Sequence, residues 1–103
     1  MSKLEELLKH YTAEVHYPEV SGFEILELLD IRSEIAEKEK ELSPEERRGL
    51  EVADGTFLKN AARFLAAISE IADLTEMRER AGIPPSHWWW HLEKLLQVDK
   101  VTL

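Results

Sequence analysis

The sequence contains no cysteine, and this absence excludes several kinds of chemistry. Without thiols the chain cannot form disulfides, use a cysteine nucleophile or bind zinc through thiolates. It also has only four glycines and four prolines among 103 residues, which argues against disorder and against a turn-rich β fold. A chain without disulfides suits a reducing compartment, so we expect a cytoplasmic protein.

Long apolar runs are missing as well. The longest uninterrupted apolar run has five residues, whereas a helix needs about 20 to cross a bilayer. The first six residues, Met-Ser-Lys-Leu-Glu-Glu, lack the apolar segment of a signal peptide. The sequence therefore predicts a soluble intracellular protein with no membrane partner.

Basic residues are scarce relative to acidic ones. The chain has 13 lysines and arginines against 21 aspartates and glutamates, which gives a net charge of −8. Residues 1–51 hold 14 of the acidic residues and only seven of the basic ones, so the first half carries most of the excess. An acidic surface repels phosphates, and a nucleic-acid partner is therefore not expected.

What the chain has in quantity is helix-forming sequence. Hydrophobic residues make up 44%, and glutamate, leucine, alanine and lysine dominate the composition. We predict an all-α fold, a compact bundle of four to five helices. The length fits one domain, which we place at residues 1–98, followed by a C-terminal tail at residues 99–103.

The predicted centre of the bundle is a buried helix over residues 57–72. On a helical wheel its large apolar residues share one broad face. Ala62, Ala66 and Ala67 lie beside or behind that face and are small enough to let another helix approach. The apolar face itself consists of Phe57, Leu58, Ala61, Phe64, Leu65, Ile68, Ile71 and Ala72.

Three further helices precede this centre or lead into it. We predict the first at residues 3–16 and the second at residues 22–42, capped by Ser21 and apolar in its first half from Phe23 onward. A third begins at Pro44, capped by Ser43. The short turn between the second and third predicts a long antiparallel hairpin.

The third helix is expected to run unbroken into the central one, although one pair of residues along it is unfavourable for a helix. Asp54-Gly55 is a weak helix pair, and Asp54 falls on the apolar face. Asp54 therefore either caps a new helix or is a buried or edge polar group. We favour a continuous helix that can kink at this pair.

The last part of the chain predicts a short helical hairpin. A helix over residues 74–81 follows the N-cap Asp73 and ends at Gly82, and Pro84-Pro85 prevents its continuation. Ser86 then caps a final helix over residues 87–98.

Three consecutive tryptophans lie on that final helix, between His87 and His91. They span about 200° of a helix, so one face cannot hold them all. Trp90 is predicted to point away from the core together with His87 and Lys94. Another part of the fold, such as the first helix, could cover it, or it could form a self-association, partner or ligand-stacking surface. The candidate partner-binding residues are Trp90, His87, Lys94, Ala62 and Ala66.

Two pairs of residues that include histidine have metal-ligand spacing. His87 and His91 are four residues apart, as are His10 and Glu14 on the first helix. Because zinc needs three or four ligands, either pair alone is incomplete. We therefore predict surface or packing histidines and no cofactor, and keep the four residues as weak metal candidates.

Residues 74–96 loosely resemble a helix-turn-helix, with a short helix, a turn and a second amphipathic helix. Arg78, Arg80 and Lys94 would be the phosphate contacts. The segment departs from DNA-binding examples because two prolines lie in the turn and the second helix offers mainly Trp, His and Glu.

These patterns favour a non-catalytic interaction or scaffold protein that forms a homodimer. No HExxH motif, Ser/His/Asp pattern or glycine-rich phosphate loop points to an enzyme. The alternatives are a nucleic-acid-binding or regulatory module at residues 74–96 and a histidine-based metal or ligand site.

Overall fold

The structure, a computed structural model, describes the backbone of residues 2–101 and the side chains of residues 2–96. These residues form six α-helices and two short 3-10 helices, so the predicted all-α class is confirmed, with more helices than expected. None of the helices in this described part has the length and apolar character needed to cross a membrane. The α-helices are α1 (Lys3–Glu14), α2 (Gly22–Glu37), α3 (Pro44–Lys59), α4 (Ala61–Ser69), α5 (Leu74–Ala81) and α6 (Leu92–Val101), and the 3-10 helices are Glu39–Glu41 and Trp88–Trp90.

Side-chain caps set the starts of the helices largely as predicted. The Ser21 hydroxyl accepts a hydrogen bond from the Glu24 amide at the start of α2. At the start of α3 the capping box is complete, because Ser43 and Glu46 each accept a hydrogen bond from the other's backbone amide. Asp73 caps α5 by accepting hydrogen bonds from the backbone amides of Thr75 and Glu76.

The predicted central helix over residues 57–72 is wrong as a single element. α3 passes through Asp54-Gly55 without interruption, as favoured, but it ends at Lys59, and α4 begins at Ala61. Between them the Asn60 side-chain amide donates to the backbone carbonyl of Val15, at 2.8 Å, after the end of α1. The wheel could not reveal this contact, because Val15 lies 45 residues earlier in the sequence.

The predicted hairpin of helices two and three also differs from the observed packing. α2 ends at Glu37 instead of residue 42, since the chain tightens into the 3-10 helix Glu39–Glu41. α2 packs along α1 and α4, while α3 packs along α1. A side-chain ion pair between Arg32 and Asp54 connects α2 to α3.

Glycine at the start of α2 permits the close packing of α2 on α4. A Cβ at Gly22 would lie 2.4 Å from the Ala67 carbonyl oxygen and 2.8 Å from the Ile71 side chain. The expectation that small residues of this segment admit another helix therefore fits Ala67. Ala62 and Ala66 remain exposed.

The core joins α1, α3 and α4 through aromatic rings. The Phe57 ring lies 5.0 Å from that of Phe64 and 6.4 Å from that of Tyr11, between ring centroids. Trp88 meets Phe57 edge-on at 5.6 Å. Residues 87–91, which we call the tryptophan segment, thus pack against the centre of the molecule.

The C-terminal helix begins later than predicted. The tryptophans form the 3-10 helix Trp88–Trp90, and α6 runs from Leu92 to Val101 instead of over residues 87–98. 3-10 and α-helices direct successive side chains differently. An α-helical wheel therefore gives wrong side-chain directions for this segment. Residues 102 and 103 of the predicted tail lie outside the described residues.

Candidate functional site

The tryptophan segment is the most unusual feature of the sequence, and most of it lies inside the molecule. Trp89 and Trp90 are 2% and 3% exposed. Their indole Nε1–H groups both donate to Ser33 Oγ on α2, at 3.0 and 3.1 Å. The prediction that Trp90 points to solvent is therefore wrong, since α2 covers it.

Ser33 uses its full hydrogen-bonding capacity here. Its oxygen accepts the two indole protons and lies 3.3 Å from His87 Nδ1, toward which its own proton is left to point. The His87 ring stacks on Trp89 with centroids 4.6 Å apart. Although a serine beside a histidine resembles a nucleophile–base pair, this hydroxyl has no free lone pair, so the arrangement fixes the tryptophans in place.

Arg32, the neighbour of Ser33, is a buried cation at the same place. Its guanidinium lies 4.2 Å from the Trp89 ring centroid and forms two hydrogen bonds to the Asp54 carboxylate, at 2.9 and 3.0 Å. The Tyr11 hydroxyl donates to the same carboxylate at 2.6 Å. Burial opposes the charge on Arg32, but the hydrogen bonds to Asp54 raise the pKa of Arg32 overall.

This cluster shows what Asp54 does on the apolar face of α3. Of the two roles predicted for it, the structure favours a partly buried polar group, with a side chain 18% exposed. Its two partners come from α1 and α2, so three helices meet at one carboxylate. Burial and the carboxylate also raise the pKa of Tyr11, which keeps this hydroxyl a hydrogen-bond donor.

A second buried arginine attaches α5 to the start of α6. Arg78 donates to the Trp90 backbone carbonyl at 2.8 Å and to both carboxylate oxygens of Glu93 at 2.7 and 3.0 Å. Burial opposes the charge on Glu93, yet the hydrogen bonds from Arg78 lower the pKa of this carboxyl below its ordinary value. Such a pair stabilises the position of the tryptophan segment.

The predicted phosphate contacts are therefore not a shared cationic surface. Arg78 is 8% exposed and its guanidinium is paired with Glu93, so it does not lie on the surface where a phosphate contact was predicted. Arg80 is exposed and pairs with Glu76 on its own helix. Lys94 is exposed on α6.

The predicted metal candidates do not converge. His10 Nε2 lies 3.8 Å from Glu14 Oε1 on the exposed side of α1, while His87 and His91 lie in the tryptophan segment. Residues 2–96 contain no group of three or more His, Cys, Asp or Glu side chains arranged to hold a metal. The two pairs remain separate.

His91 has an unusual environment of its own. Its ring hydrogen-bonds the Pro84 backbone, where only the carbonyl is available, and its Nε2 is buried without a partner among the described residues. Burial of the imidazole lowers the pKa of His91 from its ordinary value of about 6.5, and the nearby Arg78 guanidinium lowers it further.

Large apolar side chains are exposed elsewhere. Tyr17, Phe23 and Val52 are 63%, 70% and 72% exposed. Phe23 begins the apolar first half of the predicted second helix, but it faces away from the buried positions of that helix, which include Ile25 and Leu29. The helical spacing of these residues in the sequence already predicts that Phe23 lies on a different face from Ile25 and Leu29.

Val52 lies on the outer side of α3 and is largely exposed. A groove of about 550 Å³ runs between α1 and α3. Leu8 and Leu50 line the groove, and Gly49 contributes to its wall. No residue of this outer side of α3 was among the predicted site residues.

Comparisons with protein-family models, with curated proteins and with solved structures found no match. What this molecule does has to be inferred from its own residues.

Proposed function

We propose that the chain is a small non-catalytic helical interaction protein and that it binds a second copy of itself. The observation that carries this proposal is the outer side of α3, where Val52, 72% exposed, lies between two glycines. A Cβ at Gly49 or Gly55 would meet nothing within 4 Å. Glycine inside a helix costs about 0.5–1 kcal/mol relative to alanine, and packing within one copy gives no reason for it.

The interior supports a non-catalytic role. Arg32 and Arg78, the buried cations, are paired with the carboxylates of Asp54 and Glu93. The Ser33 hydroxyl is saturated by three hydrogen bonds. These groups hold the tryptophan segment against the helices, and each is committed to a neighbour in the fold.

The two alternative functions receive no comparable support. The nucleic-acid hypothesis depended on Arg78, Arg80 and Lys94, and of these Arg78 is buried against Glu93. The metal hypothesis depended on His87 and His91, and residues 2–96 contain no group of three or more His, Cys, Asp or Glu side chains arranged to hold a metal. Partner binding through Trp90 likewise loses its basis, because α2 covers that side chain.

Native mass spectrometry and sedimentation velocity of untagged protein test self-association. We expect a monomer–dimer equilibrium across about 1–500 µM, since a face of one helix is smaller than a standard interface of about 1,600 Å². At the upper end of this range no assembly larger than the dimer should appear, because a symmetric contact closes on itself. A monomeric mass at every concentration would refute the proposal.

A further inference from the structure

Three residues on the outer side of α3 are spaced by seven. Glu45, Val52 and Lys59 are all exposed, and residues seven apart lie within about 20° of one another on an α-helix. They form one line along the helix, which we call the α3 stripe. Gly49 and Gly55 flank Val52 symmetrically, three residues before and three after.

We propose that two copies pair through antiparallel α3 helices, related by a two-fold axis at Val52. This inference rests on the proposed self-association and assigns the surface that carries it. In such a pair a residue of the stripe that comes a given number before Val52 faces the residue the same number after it in the second copy. Glu45 then faces Lys59 of the second copy, while Gly49 lies level with Gly55 on the opposite edge of the contact.

Charge complementarity selects the direction of this pairing. With a rise of about 1.5 Å per residue, Glu45 and Lys59 lie about 10.5 Å on either side of the axis. Antiparallel helices therefore form two pairs of opposite charge. Parallel helices would place Glu45 against Glu45 and Lys59 against Lys59, and like charges facing across an interface are unfavourable.

The glycines let the two helices come close. Side chains at the contact set the distance between packed helices, about 8–10 Å, and two glycine pairs beside Val52 remove four of them. Neither glycine is needed for backbone conformation, since among the described residues only Gly82 has a positive φ, 66°. Their absence of a side chain has a use only when another surface approaches.

A second copy fits this surface better than an acidic or basic partner. Each copy carries a net charge of −8, so two copies repel one another overall. α3 as a whole is balanced, with three glutamates and three basic residues outside the Arg32–Asp54 pair. These are Glu45, Glu46, Glu51, Arg47, Arg48 and Lys59.

A charge swap tests the pairing directly. In Glu45→Lys and in Lys59→Glu, both cross-copy pairs become like-charged, and we expect the dimer dissociation constant to rise at least about tenfold. The double variant Glu45→Lys with Lys59→Glu restores opposite charges, so its dissociation constant should return to within about threefold of the wild type. Sedimentation velocity gives the constants, and circular dichroism verifies that each variant is folded.

The centre of the stripe is tested by Val52→Glu, with Phe23→Glu as the matched control on another face. The two positions are about equally exposed, 72% and 70%, so neither change should affect folding. We expect Val52→Glu to abolish dimer at about 500 µM and Phe23→Glu to leave it unchanged. Because the chain has no cysteine, Val52→Cys should also form a disulfide-linked dimer much faster than Phe23→Cys.

The outcomes separate the inference from the function it rests on. If the wild type dimerises but the charge variants, Val52→Glu and the double swap all match it, the α3 pairing is wrong while self-association stands. Loss of dimer in Phe23→Glu alone would place the interface on the other face and also overturn the pairing. If the wild type never dimerises, both proposals fail.

Discussion

At the scale of single residues, the molecule uses its most unusual side chains internally. One hydroxyl, Ser33, accepts the indole protons of Trp89 and Trp90, and one guanidinium, Arg32, covers the Trp89 ring. A buried indole N–H without an acceptor is costly, so these partners are part of how the segment folds. In the sequence, where these partners cannot be recognised, three consecutive tryptophans indicate a binding surface. In the folded chain they are internal.

Removing the shared acceptor tests this account. Ser33→Ala leaves two buried indole N–H groups unpaired, and we expect the free energy of unfolding to fall by about 2–4 kcal/mol. Urea denaturation followed by tryptophan fluorescence measures the change. Ser69→Ala, at an exposed position of α4, is the control and should differ from the wild type by less than about 0.5 kcal/mol. Equal midpoints for the two variants would show that the Ser33 bonds contribute little.

His91 predicts how stability depends on pH. Burial and Arg78 lower the pKa of His91 in the folded state, so below about pH 6.5 the unfolded chain binds the proton more readily. The free energy of unfolding should therefore decrease as pH falls from about 7 through 6.5 and toward the lower folded-state pKa. His91→Asn, which cannot be protonated and keeps a donor for the Pro84 carbonyl, should lose less over this range. Parallel profiles for the two proteins would contradict the lowered pKa.

At the scale of helices, local signals in the sequence were reliable and long-range contacts were not. The caps Ser43 and Asp73 and the terminating Gly82 act within a few residues, so the starts of α3 and α5 and the end of α5 were predictable. The contact made by Asn60 at the break and the covering of Trp90 involve Val15 and Ser33, which are distant in sequence. A helical wheel contains no information on such partners.

The break between α3 and α4 predicts the effect of Asn60→Ala. The side-chain amide of Asn60 donates to the Val15 carbonyl, and Val15 is fully buried. Alanine leaves that carbonyl without this donor, so we expect a loss of about 1–2 kcal/mol in unfolding free energy, despite the better helix propensity of alanine. Chemical denaturation gives the value. A variant more stable than the wild type would mean that helix propensity outweighs this bond.

At the scale of the whole molecule, the candidate interaction surface could not have been found by the reasoning that located the core. Periodicity identifies the residues that must be buried, such as Phe57 and Phe64, and both are fully buried. The outer side of α3 is polar apart from Val52, so it resembles any solvent-facing helix in sequence. Only the open space around Gly49 and Gly55 distinguishes it, and that space is visible only in the folded chain.

Gly49→Ala should therefore stabilise the fold of a single copy and weaken the dimer. An added Cβ meets nothing in the monomer, so alanine should stabilise α3 by about 0.5–1 kcal/mol and raise Tm at low concentration by roughly 2–6 °C. In the dimer the same methyl separates the paired helices. The wild-type Tm should rise with protein concentration, because association stabilises the folded state, and the Tm of Gly49→Ala should be nearly independent of it.

Differential scanning calorimetry at about 10 and 500 µM separates the two effects, since only the dimer makes Tm depend on concentration. Gly22→Ala is the control, because its Cβ would lie 2.4 Å from the Ala67 carbonyl oxygen and should lower Tm at both concentrations. A Gly49→Ala protein that melts at a higher temperature yet keeps the full wild-type concentration dependence would mean that α3 does not approach a second copy at this glycine. A higher Tm at low concentration together with a lost concentration dependence would instead show that Gly49 favours assembly at the expense of the stability of each copy.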